Sequence, residues 1–172
     1  EESFRADRRD ASVVNDMEKL HLYLVRHCES LGNRENIFQG QLDLDISATG
    51  EKQLALLALR FRNISIDAVY SSPLKRAYKT AEAVDLYHSL PIIKLPELME
   101  VDVGALSGMK LDKAFADYPV FAEKWQNSPQ NCIFPEGETT AEVYDRAKKA
   151  LARVKADCMG KTAVSNLLRC GN

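Results

Sequence analysis

The stretch Leu20-His21-Leu22-Tyr23-Leu24-Val25-Arg26-His27-Cys28-Glu29-Ser30-Leu31-Gly32-Asn33 carries the fold in its first half and a chemical suggestion in its second. Leu20 to Val25 is a nearly continuous apolar run, which suits a strand buried on both faces, as in a parallel sheet. Arginine and histidine follow directly, where the strand should end and a loop begin. In an open α/β sheet that is where ligands bind. Arginine is a permanent cation with a planar fork suited to phosphate, and histidine can act as nucleophile or base near neutral pH. Arg26-His27 therefore points to chemistry on a phosphate. Taken alone, the pair could equally be two surface side chains.

Reading outward, residues 28–46 carry Gly32, Asn33, Gly40 and several acids and read as loop. Ser47 opens a helix, with Leu54, Leu57, Ala58 and Phe61 at helical spacing behind it. Asp67–Ser71 reads as a second strand. Pro73 then falls in the first turn of a helix whose apolar face is Leu74, Ala77, Ala81 and Val84, running to about His88. Pro91–Leu95 is a short strand, and residues 97–108 are irregular. Residues 111–127 form one or two short helices around Pro119. Thr139 and Glu142 make a capping box for a helix to about Cys158, with Val143, Ala147, Ala150, Leu151 and Val154 facing inward. Thr162–Ser165 begins a last strand. Strands alternating with helices predict a three-layer α/β/α sandwich with a mostly parallel central sheet.

The totals agree with this. A chain of 172 residues, 45% hydrophobic and 28% charged, reads as a single domain over residues 19–172 behind a polar tail at 1–18. A net charge of −2 gives the whole molecule no reason to bind nucleic acid. The apolar runs are too short to span a bilayer, and the charged N-terminal segment has no leader-like apolar region. Cys28, Cys132, Cys158 and Cys170 show neither a C-x-x-C pair nor metal-ligand spacing with His21, His27 and His88, so they read as free thiols. A cytoplasmic enzyme or binding protein is the expectation.

Four constellations could carry chemistry. Arg26-His27 with Asn33 is the first. Ser71-Ser72-Pro73-Leu74-Lys75-Arg76 is another strand end followed by a helix start, where unpaired N–H groups and Arg76 could meet an anion. In Glu97 to Gly104, Glu100 and Asp102 share one side of an extended segment and are acid candidates. Pro135-Glu136-Gly137-Glu138-Thr139 places two acids before a capped helix. Each has an ordinary structural explanation: a solvated arginine, a polar strand face, a helix start.

Their order and spacing resemble the histidine phosphatase superfamily, also called phosphoglycerate mutase-like. That family carries R-H-G-E-[TS]-x-x-N after its first strand, and Arg26 to Asn33 follow it, with Cys28 in place of glycine. Phe38-Gln39-Gly40 matches its next loop, and Ile46-Ser47-Ala48-Thr49-Gly50-Glu51-Lys52-Gln53 matches L-[ST]-x-x-G-x-x-Q. Ser72 to Ala81 follows its arginine-bearing helix start, Leu98 to Gly108 its L-x-E segment, and Pro135 to Thr139 its P-x-G-E-[ST] loop. The resemblance runs from about Leu20 to Ser165, and the ordered set is specific where any single motif would be weak.

The resemblance implies that His27 is a nucleophile that becomes phosphorylated. It implies that Arg26 and Arg76 hold the phosphoryl oxygens, and that Asn33, Gln39 and Gly40 line the phosphate or substrate mouth. Glu100 takes the place of the general acid. No metal or other cofactor is implied. The expected activity is hydrolysis of a small phosphorylated metabolite, with phosphoglycerate mutase-type transfer or a catalytically inactive phosphate-ligand-binding protein as alternatives. Residues 105–135 would form a lid, whose Phe115, Tyr118, Phe121 and Trp125 read as local core.

Two departures matter. The family places a second histidine after the serine that ends its late strand, but here Ser165 is followed by Asn166-Leu167-Leu168. Either a stretch is missing between Ser165 and Asn166, which the flanking letters favour, or the protein lacks that histidine. The other departure is Cys28, which with Arg34 makes a C-x5-R, the kernel of cysteine-dependent tyrosine phosphatases. That kernel wants glycine where Leu31 stands and serine or threonine where Glu35 stands.

Overall fold

The computed structural model describes residues 19–166. The N-terminal tail and Cys170 therefore lie outside the described residues. Four parallel strands form one sheet: β1 (His21–Val25), β2 (Ala68–Ser71), β3 (Ile92–Lys94) and β4 (Thr162–Asn166), in the order β1-β4-β2-β3. The helices are α1 (Leu31–Glu35), α2 (Ala48–Phe61), α3 (Lys75–Asp85), α4 (Leu111–Asp117), α5 (Pro119–Asn127) and α6 (Thr140–Cys158).

Alternation along the central strands builds the three layers. Val69 and Val164 face one side, where they pack with Phe61, Ala81 and Val84 of α2 and α3. Tyr70 and Ala163 face the other, against Ala150, Val154 and Cys158 of α6. Val69 is wholly buried and Val164 nearly so; burial of each such side chain contributes about 1.5–3 kcal/mol. A third cluster, with Phe38, Val103, Phe121, Phe134 and Val143 at its centre, joins α4, α5 and the surrounding loops into a lobe over one end of the sheet. Among the described residues no helix is long and apolar enough to cross a membrane.

The helix ends follow the sequence. The Ser47 hydroxyl accepts from the Gly50 N–H at 3.0 Å, and Thr139 with Glu142 closes the capping box that starts α6. Two helices meet at Pro119, as expected.

Several expectations need correction. β1 is not buried on both faces, since Tyr23 and Leu24 are exposed, and among the described residues it pairs with β4 alone. Leu151 does not face inward but sits, half exposed, on the flank of α6 beside Leu22 and Leu24. Pro73 precedes α3, which starts at Lys75 and stops at Asp85, short of His88. The segment read as loop contains α1, a single turn and a half capped by Ser30. Cys28, Cys132 and Cys158 are buried free thiols.

Candidate active site

Three parallel strands end on the same edge, and each delivers a polar group there. β1 runs into Arg26 and His27. β2 ends at Ser71 and leads through Ser72 to α3 and its Arg76. β4, between them, ends at Asn166. A cavity of about 150 Å³ opens at this edge, lined by Arg26, His27, Asn33, Gln39, Gly40, Arg76 and Glu100, with apolar side chains on its outer wall. The residues that the family resemblance assigned to the site thus meet in one place. His27, Arg76 and Glu100 also bound a narrower cleft with Ser72 and Asn166.

His27 is fixed by its own loop. Its Nδ1 lies 2.7 Å from the Cys28 carbonyl oxygen. A carbonyl can only accept, so Nδ1 carries the proton and Nε2 keeps its lone pair. Burial lowers the imidazole pKa from 6.5 to about 4; the Cys28 hydrogen bond opposes this, and the Arg76 and Arg26 charges add to it. The ring is therefore neutral and basic at Nε2 throughout the physiological range, the state a nitrogen nucleophile requires.

Arg76 is 2% exposed, unlike the solvated helix-start arginine that is commonest. Its Nη1 donates to the Leu42 carbonyl at 2.9 Å and its Nη2 to the Gly40 carbonyl at 2.8 Å. The guanidinium is thereby locked in plane against the loop that follows α1. Burial lowers its pKa, while the Glu100 and Asp43 carboxylates act to raise it.

Asn33 and Gln39 are oriented by Ser30, which sequence reading did not single out. Ser30 is fully buried. Its hydroxyl lies 2.7 Å from Gln39 Oε1 and 2.9 Å from Asn33 Oδ1, and its N–H donates to Asn33 Oδ1 at 3.1 Å. Both carbonyl ends are therefore turned to Ser30, which leaves the two amide NH2 groups as donors for a ligand. Gln39 lies flat on α1 because residue 32 has no side chain: a Cβ there would sit 2.3 Å from Gln39 Cγ.

Glu100 is held through its backbone. Arg146 of α6 grips Glu138 with both ends of the guanidinium, Nε to Oε1 and Nη2 to Oε2, each at 2.8 Å. The same guanidinium donates to the carbonyls of Glu97, Met99 and Glu100. Glu138 Oε2 also accepts the Asp102 N–H at 2.9 Å. Burial pushes the Glu138 carboxyl up, but the hydrogen bonds from Arg146 and Asp102 and the Arg146 charge outweigh it and hold the pKa below the usual range. The 97–102 segment is thus stapled to α6 and the 135–138 loop. The two loops touch so closely that a Cβ on Gly137 would stand 2.3 Å from the Asp102 carbonyl oxygen. Asp102, the other acid candidate, turns its carboxylate to the Gly104 N–H and does not line the cavity. No local pattern marks Arg146; only the pairing of a loop acid with a helix residue eight positions later could have suggested it.

Cys28 is buried, its N–H donates to Thr80 Oγ1 at 3.0 Å, and burial pushes its thiol pKa up. A thiolate nucleophile needs the opposite shift. Arg34, the arginine of the C-x5-R reading, is exposed at 3.8 Å from Glu35 and does not line the cavity. The cysteine mechanism is excluded by this geometry.

β4 pairs with β1 through Leu24–Ser165 and Val25–Asn166. Asn166 is the residue that closes this strand in the chain. It is buried, and its Oδ1 accepts from Ser71 Oγ at 2.6 Å and from the Ser72 N–H at 3.2 Å. Its NH2 is the remaining end, at the cleft shared with His27 and Arg76.

Comparison with known proteins agrees with this geometry. The family model of the histidine phosphatase superfamily (branch 1) matches residues 22–166. Phosphoserine phosphatase 1 of Hydrogenobacter thermophilus is 39% identical over 143 residues, covering 83% of this chain and 68% of that protein. The probable phosphoglycerate mutase GpmB of Erwinia tasmaniensis is 33% identical over 132 residues, covering 77% of this chain and 61% of that one. The solved structure of Bacillus stearothermophilus YhfR superimposes with a TM-score of 0.82 at 27% identity, covering 86% of this chain and 73% of that chain. The chain spans about two thirds of the length of the curated relatives it matches. It belongs to the histidine phosphatase superfamily.

Proposed function

We propose that this family member is a phosphomonoester hydrolase that works through a phosphohistidine at His27, on a small phosphorylated metabolite. The observation that carries the reading is the state of His27. Its Nδ1 is tied to a carbonyl, its Nε2 is free, and its pKa is about 4 in a cavity flanked by two guanidiniums.

In the first step the Nε2 lone pair attacks phosphorus in line with the ester oxygen. The P–O bond breaks, and Glu100 gives its proton to the leaving alkoxide. Arg26, Arg76 and the amides of Asn33, Gln39 and Asn166 face the equatorial oxygens, where negative charge must be held. In the second step Glu100, now a carboxylate, takes a proton from water. The hydroxide attacks phosphorus, the P–N bond breaks, and phosphate leaves with His27 restored. The side chains supply the charge that a metal supplies in other phosphatases. The side-chain architecture is compatible with transfer to a second hydroxyl, as in a mutase, because only the acceptor differs.

A second reading rests on Asn166. A neutral amide stands where the family keeps a histidine, so a phosphate-binding protein without turnover is the rival. Incubating the protein with an aryl phosphate and quenching in base separates them. The hydrolase reading expects acid-labile, base-stable phosphate on His27 and released phosphate, both lost in His27→Ala. Phosphate-ester binding with neither signal would overturn it.

A further inference from the structure

We propose that the site selects phosphate esters whose organic part is uncharged and apolar, with Trp125 as the specificity-determining surface. This rests on the hydrolase reading above and goes on to name the substrate class. The first support is a count of charge. Besides His27 and Glu100, the only charged side chains lining the cavity among the described residues are Arg26 and Arg76. Both line the cavity beside His27, the attacking group, where the transferring phosphate must sit. A phosphomonoester dianion matches their charge, which among the described residues leaves no lining cation for a second phosphate or a carboxylate. Basic side chains close by in sequence are engaged elsewhere. Arg34 lies against Glu35, and Lys75 and Lys79 lie against Asp43 and Asp45.

The second support is the apolar part of the lining, where the partly exposed Trp125 and Ile37 stand over the buried Phe134 and Val103. Of the aromatics expected to be local core, Phe121 is buried and Phe115, Tyr118 and Trp125 pack partly buried against the same cluster; Trp125 meets Phe38 and Phe134 edge to face and Phe121 at a tilt, at centroid distances of 5.7–5.9 Å. That packing makes the wall rigid, and Trp125 remains partly exposed toward the cavity. A preformed apolar surface favours an apolar leaving group. A carboxylate there would lose its hydration without gaining a partner. The amino-acid substrate printed in the name of the Hydrogenobacter relative is thus not expected to transfer to this chain.

The test compares primary-alcohol esters, whose leaving groups have similar intrinsic reactivity: 2-phenylethyl phosphate, glycerol 1-phosphate, phosphoserine and 3-phosphoglycerate. The expected kcat/KM for 2-phenylethyl phosphate exceeds those for the two carboxylated esters by at least about tenfold, the scale of apolar-pocket discrimination. Trp125→Leu, which keeps apolar bulk in the core, narrows the ratio of 2-phenylethyl to glycerol phosphate by about tenfold. Ile37→Lys supplies the missing cation at the rim and raises the 3-phosphoglycerate to 2-phenylethyl ratio, a gain that loss of folding cannot mimic. Hydrolysis in which the carboxylated esters equal or outrun 2-phenylethyl phosphate overturns the inference and leaves the hydrolase reading standing. No hydrolysis of any of the four overturns both.

Discussion

Replacing Arg146 should disable the enzyme from outside its cavity. The side chain is 16% exposed and its partner Glu138 24%. It donates to both Glu138 oxygens and to three backbone carbonyls of the segment that ends at Glu100. Arg146→Met keeps the length and removes every one of these bonds. It leaves Glu138 largely buried without its counter-charge and frees the 97–100 carbonyls. Breaking a buried pair from one side costs about 3–5 kcal/mol, and partial exposure trims this to about 2–4 kcal/mol. For a chain of this size that lowers Tm by roughly 5–15 °C. The effect on chemistry is separable. A displacement of about 1 Å at a catalytic group costs on the order of 100-fold, so kcat measured well below the variant's Tm should fall by about 10- to 100-fold with little change in KM. Arg146→Lys, which can restore one charged contact but not the fork, should recover more of the stability than of kcat. The variants are read by thermal melts and by steady-state hydrolysis at 20 °C. A lowered Tm with unchanged kcat would show that Arg146 supports only the fold. An unchanged Tm would refute the clamp itself.

The remaining predictions concern His27 and Asn166. Because the folded pKa of His27 is about 4 and the unfolded value 6.5, the unfolded chain takes up the proton first as pH falls. The stabilising effect of a neutral His27 is complete above pH 6.5 and is lost between 6.5 and 4, amounting to ~2–3 kcal/mol by pH 4.5. Urea midpoints at pH 7, 5.5 and 4.5 should fall more steeply for wild type than for His27→Gln; parallel slopes would contradict the burial argument. Asn166→Ala should lower kcat/KM about 10- to 100-fold, as for loss of one oxyanion donor. Asn166→His should equal or exceed wild type, and a fall to the alanine level would remove Asn166 from the phosphate site.

What could be read from the sequence was governed by distance along the chain. Caps and faces are local. Ser47, Thr139 with Glu142, and the Leu74–Ala77–Ala81–Val84 stripe each carry their whole signal within a few residues, and each stands as read. The cavity was legible only through a family pattern, because nothing near Arg76 tells whether its side chain points to solvent or into the fold. What was missed is non-local. Strand order decides that β1 pairs, among the described residues, with β4 alone, and that order is not written in Leu20–Val25. The Arg146 clamp joins α6 to a segment more than forty positions earlier, and its helix shows an ordinary charged face in sequence. Ser30 fills the [TS] place of the family pattern, but its role as the anchor of two amides emerges only when Gln39 folds back on Gly32.

Strand order also explains why residue 166 carries such weight. The parallel arrangement β1-β4-β2 sets the His27 loop and the Arg76 helix start on either side of the end of β4. A group at that end shares a cleft with His27 and Arg76, which on the proposed mechanism is where a phosphate oxygen would sit. A histidine there can carry a positive charge, whereas Asn166 offers only a dipole. Two of its hydrogen-bonding positions are already taken by Ser71 and Ser72. That tether gives the amide a fixed orientation, with its donor end left for phosphate and its acceptor end away from it. A flexible neutral side chain would have to be ordered by each substrate, but this one is ordered before the substrate arrives, which is the condition for an uncharged donor to act on a transition state. The site as built therefore places its positive charge on Arg26 and Arg76 and uses Asn166 to fix direction, a division that the alanine and histidine variants at 166 separate.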